Sequence, residues 1–87
     1  MVREPHIILG IHVTNRIHHV HSVQELLTDY GCSIKTRVGF HETSEDYCSP
    51  NGLIVLEMSG KDEAGEELKG KLNNIDGVEA KVMSFEH

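Results

Sequence analysis

Aromatic side chains are scarce in this chain, which has no Trp, two Phe and two Tyr among its 87 residues. Its core must therefore come from Ile, Leu and Val. No apolar run approaches the roughly 20 residues that cross a bilayer, which argues against a transmembrane helix. A chain this short holds one hydrophobic core, so residues 1–87 are predicted to form a single domain.

Basic residues are also few, with 8 Lys and Arg against 14 Asp and Glu, for a formal charge of −6. Such a surface repels a phosphate backbone, so no direct nucleic-acid partner is expected. The first residues lack the apolar stretch of a signal peptide, and only two cysteines are present. We therefore expect a reduced, cytoplasmic protein without a membrane partner.

Four segments have strand patterns. Apolar residues alternate with polar ones over residues 6–14, 33–40 and 78–83, and residues 53–58 form a short apolar run. In the second of these segments the alternation predicts that Ile34, Thr36, Val38 and Phe40 share one face. Residues 41–52 are predicted to connect the second and third strands, because Ser49-Pro50-Asn51-Gly52 are typical turn residues.

Two segments have helix patterns. Ser22-Val23-Gln24-Glu25 has the form of a capping box, which predicts a helix from Ser22 to about Tyr30. Residues 61–74 carry apolar side chains at helical spacing. The resulting order βαββαβ predicts an α+β, ferredoxin-like (ACT-like) sandwich, with one antiparallel four-stranded sheet covered by two helices.

The strand patterns also predict which residues each sheet face carries. The face under the helices is predicted to pack with helix residues in a core of ten residues: Ile7, Leu9, Ile11, Leu27, Val38, Ile54, Leu56, Leu68, Leu72 and Val82. The opposite face is predicted to carry five apolar side chains: Ile8, Leu53, Val55, Met83 and Phe85. An uncovered apolar face of this kind predicts a homo-dimer or a homo-tetramer.

Three segments carry a family resemblance: residues 36–40 (Thr-Arg-Val-Gly-Phe), 52–57 (Gly-Leu-Ile-Val-Leu-Glu) and 68–78. They resemble the iron-only hydrogenase system regulator family of small ACT-like proteins. The resemblance implies the ferredoxin-like fold and a regulatory, ligand-binding role. A small molecule would then bind between two copies, near the connection that follows the first strand, which contains Asn15, Arg16 and His18.

A fainter similarity links the chain to the C-terminal, metal-sensing domain of the nickel-responsive regulator. In that family His residues at the end of the second strand and a Cys before the third bind metal, and His41 and Cys48 occupy comparable places. The His-x-His pair of that family is absent, because Thr43 stands two residues after His41. A transition-metal site for Zn or Ni is the alternative prediction, with His41, Cys48, His12 and Asp46 as candidate ligands.

Three functions remain open from the sequence: a regulatory ligand-binding module, a transition-metal sensor or carrier, and an assembly module of a larger complex. An enzyme is not expected, because no nucleophile elbow, phosphate-binding Gly loop or paired-carboxylate motif is present. His18 and His21 lie three residues apart, a spacing that suits metal binding only if both residues are helical.

Overall fold

The computed structural model describes residues 4–14, 16–43, 48–61 and 63–86, with side chains for all of these except 16–20, 40–43 and 48–51. The elements in chain order are β1 (His6–Val13), α1 (Arg16–Asp29), a 3-10 turn (Gly31–Ser33), β2 (Ile34–Thr43), β3 (Cys48–Met58), α2 (Ala64–Asn73) and β4 (Val78–Phe85). The strands form one antiparallel sheet in the order β2-β3-β1-β4. The predicted ferredoxin-like order is confirmed.

The core lies between the sheet and the two helices. On the sheet, Leu9, Ile11 and Leu56 are fully buried, and α2 contributes Leu68 and Leu72, which are also fully buried. Of the other residues predicted for the core, Leu27 is 3% exposed. Three more are partly buried and pack against the same cluster: Ile7, Ile54 and Val82. The periodicity therefore identified the helix-covered face of β1, β3 and β4 correctly.

An irregularity in β2 changes which of its side chains face the helices. Its pairing with β3 shifts by one residue between Ile34 and Thr36. One extra residue in a strand moves all following side chains to the opposite face. Ile34 therefore packs against the core, whereas Val38 is 44% exposed on the other face. The prediction that Ile34 and Val38 share a face is wrong, and so is the placement of Val38 in the core.

The same shift brings Arg37 to the helix side of the sheet. Arg37 pairs with Leu56, which is a core residue. Its guanidinium Nη2 donates a hydrogen bond of 2.7 Å to the Oε1 atom of Gln24 on α1. This hydrogen bond ties the edge strand β2 to α1.

Helix α1 begins six residues earlier than the capping-box pattern predicts. It includes Ser22, whose side chain is exposed, and its first residue is Arg16. The carboxylate of Glu25 does not cap a helix start but lies 2.7 Å from His21 Nε2, one turn earlier in the same helix. The predicted start at Ser22 is wrong because the capping-box spacing of Ser22 and Glu25 occurs inside the helix, where Glu25 pairs with His21 instead.

Helix α1 contacts α2 near its end through Tyr30. The Tyr30 hydroxyl donates to Glu67 Oε1 at 3.5 Å, and Lys71 Nζ lies 5.0 Å from the centre of the Tyr30 ring. The hydrogen bond with Tyr30 raises the pKa of Lys71 above its ordinary value. Among the described helices, none is both long and apolar enough to cross a membrane.

The hairpin between β2 and β3 is longer than predicted. β2 continues to Thr43, and β3 already begins at Cys48 instead of Leu53. The predicted turn residues 49–52 are therefore part of a strand. β1 pairs with β3 only as far as Gly52, so the outer part of the hairpin extends past the end of β1.

Candidate functional site

One end of the sheet collects several chain connections. β1 and β2 finish there, and β3 and β4 begin there, with Val13 opposite both Gly52 and Val78. The turn before β4 is held at this end because the Thr14 N–H donates to the Gly77 carbonyl at 2.7 Å. Gly77 has a φ of 80°, a left-handed conformation that glycine adopts without strain. We call this the loop end of the sheet.

The loop end brings the backbones of the predicted metal ligands onto neighbouring strands. His41 pairs with Gly52, and Thr43 pairs with Cys48. The side chains of His41 and Cys48 lie outside the described residues, as does Asp46. The predicted metal site at the loop end therefore stays a prediction.

The predicted small-molecule site shares this end of the sheet. Arg16 and His18 lie in the first turn of α1, and α1 follows β1 directly in the chain. Their side chains are outside the described part of the structure, and Asn15 is outside it altogether. These three residues also stay candidates from the sequence.

His12, the fourth predicted metal ligand, is exposed near the loop end, where it pairs with Leu53 and Glu79. Within the side chains that the structure describes, no group of three or more His, Cys, Asp or Glu residues could hold a metal ion. Metal binding by His12 would therefore need ligands from outside the described side chains, or from a second copy of the chain.

The face of the sheet opposite the helices carries an apolar band, and we call it the open sheet face. Its four large exposed side chains, at 41–56% of full exposure, are Val38, Leu53, Met83 and Phe85. Ile8 pairs with Met83, and Val55 pairs with Val38, which fills the centre of the band. The predicted composition of this face is confirmed. Val38 was missed because only the bulge in β2 places it there.

Charged and polar groups of both signs border the apolar band. His6 Nδ1 lies 3.4 Å from Glu57 Oε2. Gly10 pairs with Val55 on one side and with Lys81 on the other, and Glu79 pairs with His12. An apolar centre surrounded by polar groups is the usual composition of a protein–protein interface. The open sheet face has this composition.

A shallow groove runs along the outer surface of α1. Its volume is about 430 Å³, and it is lined by His21, Gln24, Glu25, Thr28 and Asp29. Gln24 at its border is the residue that accepts the hydrogen bond from Arg37. The sequence did not predict this groove, although four of its five lining residues lie within the helix predicted from Ser22 to about Tyr30.

A family model matches residues 6–82, which is most of the chain. The model is that of the TM1266-like family, described as "Iron-only hydrogenase system regulator, putative". The chain belongs to this family. The resemblance found in the sequence is thereby confirmed. No protein among the curated ones matches.

Solved structures agree with this assignment. The uncharacterized protein TM1266 from Thermotoga maritima is 28% identical, with a TM-score of 0.76, and the alignment covers 94% of this chain and 98% of that chain. The family model and the structure of TM1266 therefore agree on the family and on the fold of this chain.

More distant structures share only the fold. The apo form of CPII from Thiomonas intermedia K12, a nitrogen regulatory PII-like protein, has a TM-score of 0.58 at 17% identity, covering 95% of this chain and 91% of that chain. CPII bound to ADP, AMP and acetate has a TM-score of 0.56 at 15% identity, covering 97% and 89%. These matches support the ferredoxin-like α+β architecture.

Proposed function

We propose that this protein is a small regulatory module that associates with copies of itself through the open sheet face and binds a small molecule at the loop end. It acts by binding and not by catalysis. The observation that carries the proposal is the uncovered apolar band, in which Met83 and Phe85 are 56% and 53% exposed.

The apolar band favours a partner because burying such side chains contributes roughly 25 cal/mol per Å² of apolar surface. A domain this small has a limited core of its own, so burial in an assembly would add to its stability. Large exposed apolar patches on small proteins commonly mark interaction sites. Self-association through the open sheet face would cover this one.

The charges around the band favour a second copy as the partner. The border carries Lys81 together with Glu57 and Glu79, so one surface presents both signs. A two-fold interface uses the same surface on both subunits and therefore needs such self-complementarity. A homo-dimer, or a tetramer built from two dimers, satisfies this requirement.

The small-molecule part of the proposal is supported by the family and by the distant structures. The family is one of regulators, and CPII, which shares the fold, has been solved with ADP and AMP. Asn15, Arg16 and His18 follow β1 at the loop end and could contact an anionic ligand through Arg16. Adenine nucleotides are therefore the first probes to test.

Light scattering coupled to size-exclusion chromatography tests the association. We expect the wild-type chain to be a dimer or a tetramer at micromolar concentration, and Met83→Lys to shift it towards the monomer. Ser22→Lys, which adds the same charge at an exposed position on α1, is the matched control and should not change the mass. A wild-type monomer would overturn the association.

Calorimetric titration of ADP and AMP tests the ligand. Arg16→Ala should weaken binding, whereas Arg37→Ala, which removes an equal charge from β2, should leave the affinity unchanged because Arg37 is engaged with Gln24. Equal effects of the two variants would contradict a binding role for Arg16. If neither ADP nor AMP binds, only the part of the proposal that concerns self-association stands.

A further inference from the structure

The outer edge of β4 is closed at Ala80 and open further along the strand. Both the N–H and the carbonyl of Ala80 bond with Asn73, so both point away from β1. In an antiparallel pair, every second residue directs these two groups to the same side. The register of β4 with β1 has no shift, so the N–H and carbonyl groups of Val82 and Ser84 also point outward. Among the described residues, none bonds with these outward groups, and such an edge can accept a further strand.

A groove of about 300 Å³ lies beside this open part of the edge, next to the start of α2. Its apolar lining includes Ile7 and Val82, which are partly buried against the core. Gly65 of α2, which has no side chain, lines it as well. Three exposed carboxylates complete the border: Glu63, Glu66 and Glu86. The groove therefore combines an apolar floor with an acidic border.

Negative charge dominates this border. Lys69 Nζ lies 2.8 Å from Glu66 Oε2, which balances one of the carboxylates. Across the residues that the structure describes, no cation pairs with Glu63 or Glu86. A second copy of the chain would bring the same carboxylates to the edge, with a formal charge of −6. The charge therefore favours a basic partner over a second copy at this edge.

The side chains of an added strand would alternate between the two faces of the sheet. Every second one would lie over the groove, where Lys or Arg can place its aliphatic stem on the apolar floor and its charge near the carboxylates. The side chains between them would lie beside Met83 and Phe85, which are exposed apolar residues. A strand that alternates basic and apolar residues therefore matches both sides of this edge.

We propose that the open edge of β4, at Val82 and Ser84, binds an extended segment of a partner protein in which Lys or Arg alternates with apolar residues. The segment pairs antiparallel to β4, as all neighbouring strands of this sheet do. Asn73 sets the limit of the pairing, because it occupies the backbone of Ala80. The site requires neither the proposed self-association nor a ligand at the loop end.

Calorimetric titration with a synthetic peptide tests the edge. The probe is Lys-Val-Lys-Val-Lys-Val with both ends blocked, and the wild-type protein should bind it. In antiparallel pairing, the peptide residue that exchanges hydrogen bonds with Val82 or Ser84 has its side chain on the same face as its partner. With lysine over the groove, the N–H groups of the lysines therefore point towards β4, and those of the valines point away from it.

Two methylated forms of the peptide give a matched comparison on the unchanged protein. Methyl groups on the lysine backbone nitrogens remove the bonds to β4, so the affinity should fall by at least about tenfold. Methyl groups on the valine backbone nitrogens leave these bonds in place, so the affinity should change by less than about twofold. Equal affinities of the two methylated peptides, or no binding of the unmodified peptide, would overturn the proposal.

A proline on β4 tests the same contact from the side of the protein. Ser84→Pro removes an outward N–H, and an edge strand tolerates proline in this orientation. The fold should persist, which far-ultraviolet circular dichroism checks, and the affinity for the unmodified peptide should fall by at least about fivefold. A folded Ser84→Pro variant with wild-type affinity would place the peptide elsewhere.

Two pairs of charge variants test the groove. Glu63→Gln with Glu86→Gln should weaken peptide binding by about three- to tenfold. Glu25→Gln with Glu79→Gln removes the same charge from α1 and from the open sheet face, and it should change the affinity by less than about twofold. Equal losses in the two pairs would overturn the placement of basic side chains in the groove, because only the total charge of the protein would then matter.

Discussion

Asn73 forms two hydrogen bonds with the backbone of Ala80. Its Nδ2 donates to the Ala80 carbonyl at 3.1 Å, and its Oδ1 accepts from the Ala80 N–H at 2.7 Å. Ala80 lies in β4, which is an edge strand of the sheet. A neighbouring strand would offer the same donor and acceptor, so the side chain from the last turn of α2 blocks this edge against further strand pairing.

Asn73→Asp keeps the shape of the side chain and removes its donor. The carboxylate then faces the Ala80 carbonyl without a hydrogen bond, so we expect the free energy of unfolding to fall by about 1–3 kcal/mol. Urea denaturation measures the change. Asn74→Asp, at the exposed neighbouring position, is the control. Equal losses for both variants would show that added negative charge, and not the contact with Ala80, is responsible.

The order of strands and helices could be predicted because period-two and helical spacing survive in the apolar residues of β1, β4 and α2. For the residues of β2 after Ile34, the sequence could not predict which side chains face the helices. The bulge between Ile34 and Thr36 inserts a residue without a distinctive sequence signal, and the pattern simply continues with Val38. A one-residue shift therefore reverses an otherwise correct strand assignment.

Truncating two apolar residues tests this reassignment. Leu56 is fully buried, so Leu56→Ala should lower the free energy of unfolding by about 2–5 kcal/mol. Val38→Ala, at 44% exposure, should cost less than about 1 kcal/mol when the chain is studied as a dilute monomer. Chemical denaturation monitored by circular dichroism compares the two. If Val38→Ala lowered the free energy of unfolding by as much as Leu56→Ala under these conditions, Val38 would have to be buried in the core.

Two glycines with opposite surroundings give a matched pair of alanine substitutions. A Cβ at Gly60 would collide with the backbone carbonyl oxygen of Pro5, whereas a Cβ at Gly70 would meet no atom within 4 Å. Gly60→Ala should therefore destabilise the chain. Gly70 lies inside α2, where Ala is favoured over Gly, so Gly70→Ala should stabilise it by about 0.5–1 kcal/mol.

Thermal unfolding of the two glycine variants measures both effects under one condition. The expected melting temperatures lie on opposite sides of the wild-type value. If Gly60→Ala unfolded at the wild-type temperature, the segment containing Pro5 would have to move away from Gly60 without cost. A lower melting temperature for Gly70→Ala would contradict the open space around that position.

The candidate sites differ in how far the sequence could identify them. The topology predicted that the connections after β1 and β2 share one end, and the strand register agrees. The start of α1 could not be predicted, although it decides whether His18 and His21, three residues apart, belong to one helix. His18, His19 and His21 have modest helix propensity, so the local sequence gives little sign that the helix begins at Arg16.

The last prediction concerns metal binding at the loop end. If His41 and Cys48 bind Zn²⁺ or Ni²⁺, then His41→Ala with Cys48→Ser should lower the affinity by at least about tenfold. The control is His19→Ala with Cys32→Ser, which removes the same two side-chain types, and Cys32 is an exposed free cysteine. Both are titrated in a chain that also carries His18→Ala and His21→Ala, so that α1 does not contribute.

The pH dependence provides a second readout for the loop end. Metal requires a neutral imidazole and a thiolate, so protons compete with it, and binding should weaken below about pH 6. Loss of His41 and Cys48 should remove this binding at every pH, whereas the control pair should leave both the affinity and its pH dependence unchanged. If the two double variants bind equally, metal does not bind through His41 and Cys48, because removing these ligands cannot be neutral for a site that they form.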